Sequence, residues 1–342
     1  MSSSGAKPVV FSGMQATSIP TLGNYLGAVS RWIDMQRTWD CYFSVVDLHS
    51  ITVAQDPQKL RDQCYELLAF YLACGLDPAS CTLFLQSHVP QHTELAWVLT
   101  CFTHLGELNR MHQFKDKSQR LSSQDLGGVG AGLYVYPTLM AADILLYGTH
   151  KVPVGEDQKQ HVELTRDIAL RFNRRFQKEV FVIPDPVIGE SGARIMDLQD
   201  PEAKMSKSAK NPNGVIFIRD ADKDLVKKVK SAVTDSSSEV NPETAGPGVH
   251  NLIELYAVLS AKTVTEMEQV LAGKRYGELK GELCELVLAT VAPLRKKTED
   301  FLQDKSFLDR TLRLGAEKAI VRAQKTLDLV HSSLGLVSRA KL

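Results

Sequence analysis

The feature of this sequence that most constrains its fold is an alternation of strand-like and helix-like apolar patterns over residues 8–176. Short apolar runs typical of buried strands are followed by longer runs with apolar residues three or four positions apart, which is helical spacing. This alternation predicts an α/β fold with a doubly wound, Rossmann-like parallel sheet. The predicted strands are 8–13, 41–47, 81–86 and 152–154, and the predicted helices are 23–39, 57–73, 92–103, 136–147 and 157–176.

The predicted sheet also indicates where a ligand would bind. In open parallel sheets, ligands lie in the crevice beyond the carboxyl ends of the strands. Residues 12–13, 47–49 and 155–158 follow predicted strands and would meet at this edge. We therefore expect these three segments to contribute to the functional site.

The second part of the chain has a different pattern, because the strand signal fades after about residue 211. We therefore expect two domains: a Rossmann-like catalytic domain over residues 1–210 and a mainly α-helical domain over residues 211–342. One strand is predicted at 215–218, and helices are predicted at 222–233, 251–261, 264–271, 280–298 and 311–334.

Composition and spacing disfavour several classes of function. The 40 basic and 40 acidic residues balance, which argues against a protein that coats nucleic acid through bulk charge. There is no apolar run of about 18 residues and no signal-peptide pattern at the start, so we expect a cytoplasmic protein without a membrane anchor. The six cysteines form no C-x-x-C pair. His88 and His92 flank Pro90, so we expect surface or capping roles for them and no metal site in the protein.

The sharpest motif is Lys204-Met205-Ser206-Lys207-Ser208, in a segment expected to be an exposed loop. Two lysines three residues apart, with hydroxyl side chains beside them, can close over a polyphosphate and neutralise the charge that develops on it. A solvated Lys/Ser loop is the alternative interpretation of such a segment.

Two glycine-containing turns are the next candidates. Gly23 opens the helix after the first strand, where free backbone N–H groups face a phosphate and the missing side chain admits a flat base. Gly155 leads into Glu156 and Asp157, and an Asp at a strand end can accept hydrogen bonds from ribose hydroxyls. For both turns, simple capping of the following helix is the alternative.

Together, these motifs resemble the bacterial tryptophanyl-tRNA synthetases, which belong to the class I aminoacyl-tRNA synthetases. The resemblance covers residues 8 to about 335. It is carried by Thr-Leu-Gly-Asn-Tyr (21–25), Val-Asp-Leu-His (46–49), Met-Ala-Ala-Asp-Ile-Leu-Leu-Tyr (140–147), Gly-Glu-Asp-Gln-Lys-Gln-His (155–161) and Lys-Met-Ser-Lys-Ser (204–208).

The sequence departs from the family pattern at four places. Thr21 and Asn24 stand where the class signature His-Ile-Gly-His has histidines. Ala16-Thr17-Ser18 replaces a common Pro-Ser-Gly, and Leu48 replaces a frequent Gln. The segment 127–132 looks lengthened, which leaves the position of Lys117 open.

The resemblance implies an ATP site, a catalytic set and a tryptophan pocket. The catalytic set would be Lys204, Lys207, Lys117, Gln15, Thr21 and Asn24. The ATP site would be lined by Gln15, Ala16, Thr17, Gly23, Asn24, Gly155, Glu156, Asp157, Ile195, Lys204, Met205, Ser206, Lys207 and Ser208. Asp143 would accept the indole N–H, in a pocket completed by Phe11, His49, Tyr136, Met140, Val152, Val154 and Gln158. A carboxylate on the apolar helix around Asp143 also needs a hydrogen-bond partner on physical grounds.

The resemblance further implies the reaction and the partners. L-tryptophan and ATP, with Mg²⁺ carried by the phosphates, would give an adenylate and pyrophosphate, and the amino acid would then pass to tRNA(Trp). The enzyme would be a homodimer whose helical domain reads the anticodon. Tyrosine activation on the same architecture, a small adenylyltransferase and a catalytically silent RNA-binding paralogue are the alternatives.

Overall fold

The computed structural model describes residues 7–112, 130–188, 195–206, 209 and 211–337. Its centre is a five-stranded sheet in which the strand order is β3-β2-β1-β4-β5 and all paired strands are parallel. The predicted doubly wound α/β fold is therefore confirmed. The strands are β1 Val9–Met14, β2 Asp40–Val45, β3 Thr82–Leu85, β4 Lys151–Val154 and β5 Asp185–Ile188.

The sheet reverses its direction of growth between β1 and β4. From β1 the chain adds β2 and β3 on one side, and then crosses over to add β4 and β5 on the other. A crevice forms at such a switch point, beyond the carboxyl ends of the two central strands. Gly13 lies here, and a Cβ at this position would come within 2.8 Å of the Ser44 carbonyl oxygen on β2. The two strands approach so closely at this point that only glycine fits.

Helices surround the sheet and form most of the second part of the chain. The predicted helix at 23–39 is divided into a short α-helical turn, a π-helical segment over Tyr25–Val29 and a regular helix. In the described residues the α-helices are α1 Leu22–Asn24, α2 Ser30–Thr38, α3 Asp47–Ser50, α4 Pro57–Cys74, α5 Gln91–Cys101, α6 Leu105–Asn109, α7 Ala131–Leu145, α8 Lys159–Phe176, α9 Asp222–Lys230, α10 Pro247–Leu259, α11 Val264–Leu271, α12 Tyr276–Gln303 and α13 Lys305–Leu334.

The prediction of a strand at 215–218 is wrong. This segment makes one isolated antiparallel bridge, between Phe217 and Thr21, and joins no sheet. The backbone N–H of Leu22 donates to Ile216 and that of Ile218 donates to Pro20, both at 2.9 Å. The apolar side chains that suggested a strand are instead buried against the start of α1. The structure also adds β5, which the sequence pattern did not predict.

The long helix α13 packs directly against the sheet. A Cβ at Gly315 would lie 1.8 Å from the Leu83 carbonyl oxygen, so the helix backbone touches β3 at this position. Arg322 donates to the Tyr147 carbonyl oxygen at 2.6 Å and to the Asp40 carboxylate at 3.0 Å. Buried residues of α13 therefore share a core with the strands and with α7 and α8.

None of the helices in the described part of the chain is both long enough and apolar enough to cross a membrane.

Candidate active site

The first element of the site is the turn between β1 and α1. Thr21 caps the helix: its hydroxyl accepts the Asn24 N–H at 3.2 Å, while the Asn24 side-chain oxygen accepts the Thr21 N–H at 3.0 Å. This reciprocal arrangement is a capping box, which fixes both side chains relative to the helix start. The two residues that replace the signature histidines are thus held at the carboxyl edge of β1.

The second element is the segment around Lys204, which pairs with residues 195–197. Met205 donates its N–H to the Ile195 carbonyl at 3.0 Å, and Asp197 donates to Ala203 at 2.8 Å. Met205 is buried in one apolar cluster with Ile195 and with Leu22 of α1. A Cβ at Gly23 would lie 3.8 Å from the Met205 carbonyl oxygen. The two predicted phosphate-binding segments, 180 residues apart in sequence, are therefore in contact.

The third element is the turn after β4. The Asp157 carboxylate lies 3.7 Å from the Lys204 ammonium, and both side chains are about half exposed. Gly155 leaves room beside this pair, since a Cβ there would come within 2.7 Å of an Asp157 carboxylate oxygen and the side chain would have to shift. An exposed ion pair of this length contributes little to stability. Its lysine can therefore exchange this carboxylate for a phosphate at small cost.

The remaining predicted ATP-site residues lie around these elements. Ala16 is buried after β1, Gln15 and Thr17 are half-buried beside it, and Glu156 and Ser206 are exposed. Lys117, Lys207 and Ser208 lie outside the described residues.

The predicted tryptophan-binding residue Asp143 lies on α7 and is fully buried, with 1% of its surface exposed. One of its oxygens accepts hydrogen bonds from His92 Nδ1 at 2.6 Å and Gln86 Nε2 at 2.7 Å. The other accepts from His49 Nε2 and from the same Gln86 nitrogen, both at 2.8 Å. The partner that this carboxylate was expected to need is thus supplied by three side chains of the protein.

These contacts determine the charge of Asp143. Burial alone would raise the pKa of the carboxyl, but the adjacent His92 and His49, through their charges and hydrogen bonds, outweigh burial and hold the pKa below its usual value. Burial, followed by the charge of Asp143, raises the pKa of Tyr147 well above 10. Asp143 is therefore an ionised acceptor and Tyr147 a neutral phenol at neutral pH.

Two of the other residues predicted for the pocket, Phe11 and Tyr136, make ring contacts with residues around Asp143. Phe11 stacks on Tyr147 with ring centroids 5.6 Å apart, and the Tyr136 ring meets the His49 ring edge-on at 6.1 Å. The Tyr136 hydroxyl is hydrogen-bonded to His161 at 2.6 Å. Met140, Val152 and Val154 belong to the same apolar cluster as Phe11 and Tyr147. Gln158 lies beside Asp157 and donates to its carboxylate at 3.2 Å.

The expected surface or capping role of His92 is wrong, because this residue has no exposed surface. Its ring nitrogens bond to Asp143 and Tyr147, which lie 51 and 55 residues further along the chain. Gln86, His92 and Tyr147 were not predicted as site residues. Of these three residues, Gln86 alone had a local signal in the sequence, since it is a polar residue at the end of a predicted buried strand. His88, by contrast, is exposed.

A separate cleft of about 850 Å³ lies between α4, the end of β3 and α13. Its polar side chains include two pairs: Tyr65 donates to Asp309 at 2.6 Å, and Ser87 donates to Asp47 at 2.5 Å. None of the residues predicted to bind ATP or tryptophan lines this cleft. In the described ranges no group of three or more His, Cys, Asp or Glu side chains is arranged to hold a metal ion.

The fold and the site define a class of protein: a Rossmann-like sheet with a glycine-opened helix and a lysine-bearing loop at its switch point. The sequence agrees, since residues 3–292 match the family model described as tRNA synthetases class I (W and Y). This match covers most of the chain, and the chain belongs to that family.

Comparison with individual proteins narrows the resemblance to the tryptophan branch. The chain is 50% identical over 331 residues to the tryptophan–tRNA ligase of Clostridium tetani, covering 97% of this chain and 96% of that protein. The crystal structure of tryptophanyl-tRNA synthetase from Mycoplasma pneumoniae superimposes with a TM-score of 0.89 at 38% identity, over 98% of this chain and 99% of that one. The Campylobacter jejuni enzyme, crystallised with ADP and tryptophan, gives 0.80 at 34% identity, over 96% of this chain and 100% of that one.

Proposed function

We propose that this chain is a tryptophan–tRNA ligase, which activates L-tryptophan with ATP and transfers it to the 3′-terminal adenosine of tRNA(Trp). The observation that carries the proposal is the convergence of three segments on one edge of the sheet. Gly23 contacts Met205, Lys204 faces Asp157, and the buried acceptor Asp143 lies on α7 near the same edge. This convergence supports a nucleotide site next to a site for an N–H-bearing side chain.

In the first half-reaction the tryptophan carboxylate attacks the α-phosphate of ATP in line, and pyrophosphate leaves. The carboxylate is already ionised at neutral pH, so no general base is needed. Lys204, together with Lys207 and Lys117, would balance the charge that develops on the leaving pyrophosphate. Mg²⁺ enters this proposal as part of the substrate, bound through the phosphates of ATP.

The adenosine part of ATP would lie between the two glycine turns. Gly23 and Gly155 leave room for the base and ribose to approach the backbone, and Asp157 can accept bonds from ribose hydroxyls. In this arrangement the exposed contact between Lys204 and Asp157 is replaced by contacts from each residue to the nucleotide. The remaining residues proposed to line the ATP site are Gln15, Ala16, Thr17, Asn24, Glu156, Ile195, Met205, Ser206, Lys207 and Ser208.

The tryptophan side chain would bind between β1, β4 and α7, with its indole N–H directed at Asp143. The carboxylate oxygens already accept hydrogen bonds from protein side chains. A ligand that adds a further donor to this buried, ionised acceptor is favoured over an isostere that has none. The remaining residues proposed for this pocket are Phe11, His49, Tyr136, Met140, Val152, Val154 and Gln158.

For the second half-reaction we propose that the helical part, residues 211–342, reads the tRNA anticodon and that the cytoplasmic enzyme is a homodimer. An exposed apolar surface supports the dimer: Trp97 on α5 and Leu105 on α6 are each 70% exposed. Light scattering of the purified protein tests this, and Trp97→Lys should convert dimer to monomer. A monomeric wild-type protein at micromolar concentration would contradict it.

The function itself is tested by ATP–pyrophosphate exchange with each of the twenty amino acids, followed by charging of tRNA(Trp) transcripts. Exchange should depend on tryptophan, with tyrosine at least roughly a hundredfold less effective in kcat/KM. Equal use of tyrosine would make the chain a tyrosine enzyme, and exchange with no amino acid would leave a nucleotide-binding protein without this activity.

A further inference from the structure

Behind Asp143 lies a chain of buried polar side chains that the reaction itself does not require. The Tyr147 hydroxyl is 2.8 Å from His92 Nε2, and His92 Nδ1 is 2.6 Å from Asp143. Gln86 bridges both Asp143 oxygens with one nitrogen, at 2.7 and 2.8 Å. All four residues have at most 1% of their surface exposed. Gln86, His92 and Tyr147 have no surface exposed to solvent.

The direction of the hydrogen bond between His92 and Asp143 is determined by the carboxylate. Ionised Asp143 can only accept, so His92 must donate from Nδ1. The other ring nitrogen, Nε2, lies 2.8 Å from the Tyr147 hydroxyl, a group that can both donate and accept. Asp143 and Tyr147 thus hold the two ring nitrogens of His92 from opposite sides, in the way that outer hydrogen bonds orient a histidine ligand.

The orientation of Gln86 is determined in the same way. Its side-chain oxygen accepts the backbone N–H groups of Leu48 at 3.1 Å and His49 at 3.4 Å. Because the oxygen is turned toward α3, the amide nitrogen must face Asp143. Gln86 therefore links the carboxylate to the start of the helix that carries His49.

Aromatic packing holds this group of residues in place. Tyr147 stacks against Tyr42 with ring centroids 4.7 Å apart, and Phe84 stacks against His92 at 6.0 Å. Rotation of either ring would need the core to open, which dense packing opposes. The donors thus stay fixed relative to Asp143.

We propose that His92, Gln86 and Tyr147 are positioning residues that fix Asp143 as a hydrogen-bond acceptor and thereby set the selectivity for a side chain that presents an N–H. The inference rests on the proposed function and adds specificity residues to it. Of the residues bonded to Asp143, His49 also contacts Tyr136, so it lies between this buried group and the proposed pocket.

The test compares tryptophan with β-(3-benzothienyl)alanine, in which sulfur replaces the indole N–H, in ATP–pyrophosphate exchange. Two variants are matched. His92→Asn keeps a donor near the position of Nδ1, whereas His92→Leu removes it at similar volume. His92→Leu should lower the ratio of kcat/KM for tryptophan over the sulfur analogue by roughly tenfold or more, chiefly through KM for tryptophan. His92→Asn should retain most of that ratio.

Tyr147→Phe provides a second measurement, in case His92→Leu does not fold. Without the phenol hydroxyl, the His92 ring loses the hydrogen bond at Nε2 that holds it in place, and its Nδ1 donor is less firmly directed at Asp143. The ratio should fall by roughly threefold to tenfold, while KM for ATP and the circular dichroism spectrum remain unchanged.

The outcomes separate this inference from the proposed function. If the wild-type protein itself does not prefer tryptophan over the analogue, Asp143 does not read the N–H, and both proposals about selectivity fail. If the wild type does prefer tryptophan, and folded His92→Leu and Tyr147→Phe keep the same ratio, the positioning role is wrong and the proposed function stands. A similar loss for both substrates would indicate a purely structural role and would also overturn the inference.

Discussion

The two halves of the proposed site are built in different ways. On the nucleotide side, short turns with glycines and exposed charges meet at the edge of the sheet, and Lys204 and Asp157 are about half exposed. On the amino-acid side, Asp143 is enclosed by three partners from separate segments of the chain and has almost no contact with solvent. The first half can adjust to a flexible polyphosphate, whereas the second is fixed before any ligand arrives. Variants that affect one half and spare the other test this contrast.

The largest effect is expected from Asp143→Ala. Removing the carboxylate should lower kcat/KM for tryptophan by at least about a hundredfold, because the indole donor loses its acceptor. It also leaves three buried donors unpaired, which should reduce the free energy of unfolding by about 3 kcal/mol. Asp143→Asn is the matched control, since it keeps the shape and removes the charge. KM for ATP should stay within twofold in both, and an unchanged preference for tryptophan would contradict the assignment.

Lys204→Ala should have the next largest effect, and on the other half of the site. Adenylate formation, measured by single-turnover kinetics, should slow by roughly a hundredfold, with little change in tryptophan affinity. Lys159→Ala is the control, because Lys159 lies near the same edge and its described ion pair, with Glu156 at 3.8 Å, is exposed. Equal losses in rate and in tryptophan binding would argue against a role in the transition state.

Gly315→Ala should disturb the amino-acid side from a distance. The added methyl group collides with the Leu83 carbonyl, so α13 must move away from β3, the strand that leads into Gln86. We expect a loss of about 2 kcal/mol in stability and a larger rise in KM for tryptophan than for ATP. Gly281→Ala in α12 meets no atom within 4 Å, and should stabilise the protein by about 0.5 kcal/mol. Thermal melts of Gly315→Ala and Gly281→Ala would measure this difference in stability. Equal stability of the two variants would contradict the packing argument.

Asp157→Asn should have a smaller effect. Because the carboxylate is exposed and its pairing with Lys204 is weak, stability should not change measurably. KM for ATP should rise by roughly threefold to tenfold through the weaker bonds to ribose, while KM for tryptophan stays constant. Isothermal titration with a non-hydrolysable ATP analogue would measure this. A rise confined to tryptophan would contradict the placement of Asp157.

The smallest effect concerns pH. The pKa of Asp143 is lowered, so the carboxylate is charged above that pKa and becomes protonated only when the pH falls through it. The preference for tryptophan over its sulfur analogue should therefore be constant between about pH 5.5 and 8. In His92→Leu, His92 no longer offsets the effect of burial on the pKa of Asp143. Although His49 and Tyr147 remain, the preference for tryptophan should therefore begin to decline at a higher pH. A preference in the wild type that falls steeply between those limits would show that Asp143 is not held ionised.

The contrast between the halves also explains how much of the molecule the sequence could predict. The segments at Gly23, Gly155 and Lys204 are local motifs, and the alternating apolar patterns identify β1 to β4 and most of the helices. β5 was missed because it is short, lies at the sheet edge and contains Pro186. Residues 215–218 were misread because burial in an extended segment gives the same pattern whether or not the segment joins a sheet.

The partners of Asp143 could not be predicted, because no local pattern links them. Gln86 directly follows β3, His49 lies on α3, and His92 faces the opposite way from the exposed positions of α5. Only the folded sheet brings these side chains onto one carboxylate. The division of the first long helix by the π-helical segment Tyr25–Val29 was likewise not visible in its apolar spacing.

The packing of α13 on β3 has a consequence for the order in which the protein can form during synthesis. The strands that carry Leu83 and Tyr42 emerge from the ribosome long before residues 305–334, and until then β3 lacks the cover that α13 provides. The nascent sheet therefore keeps apolar surface exposed to chaperones while more than two hundred further residues are translated. A ribosome-bound chain halted before α13 should accordingly be more susceptible to protease near β3 than the finished protein.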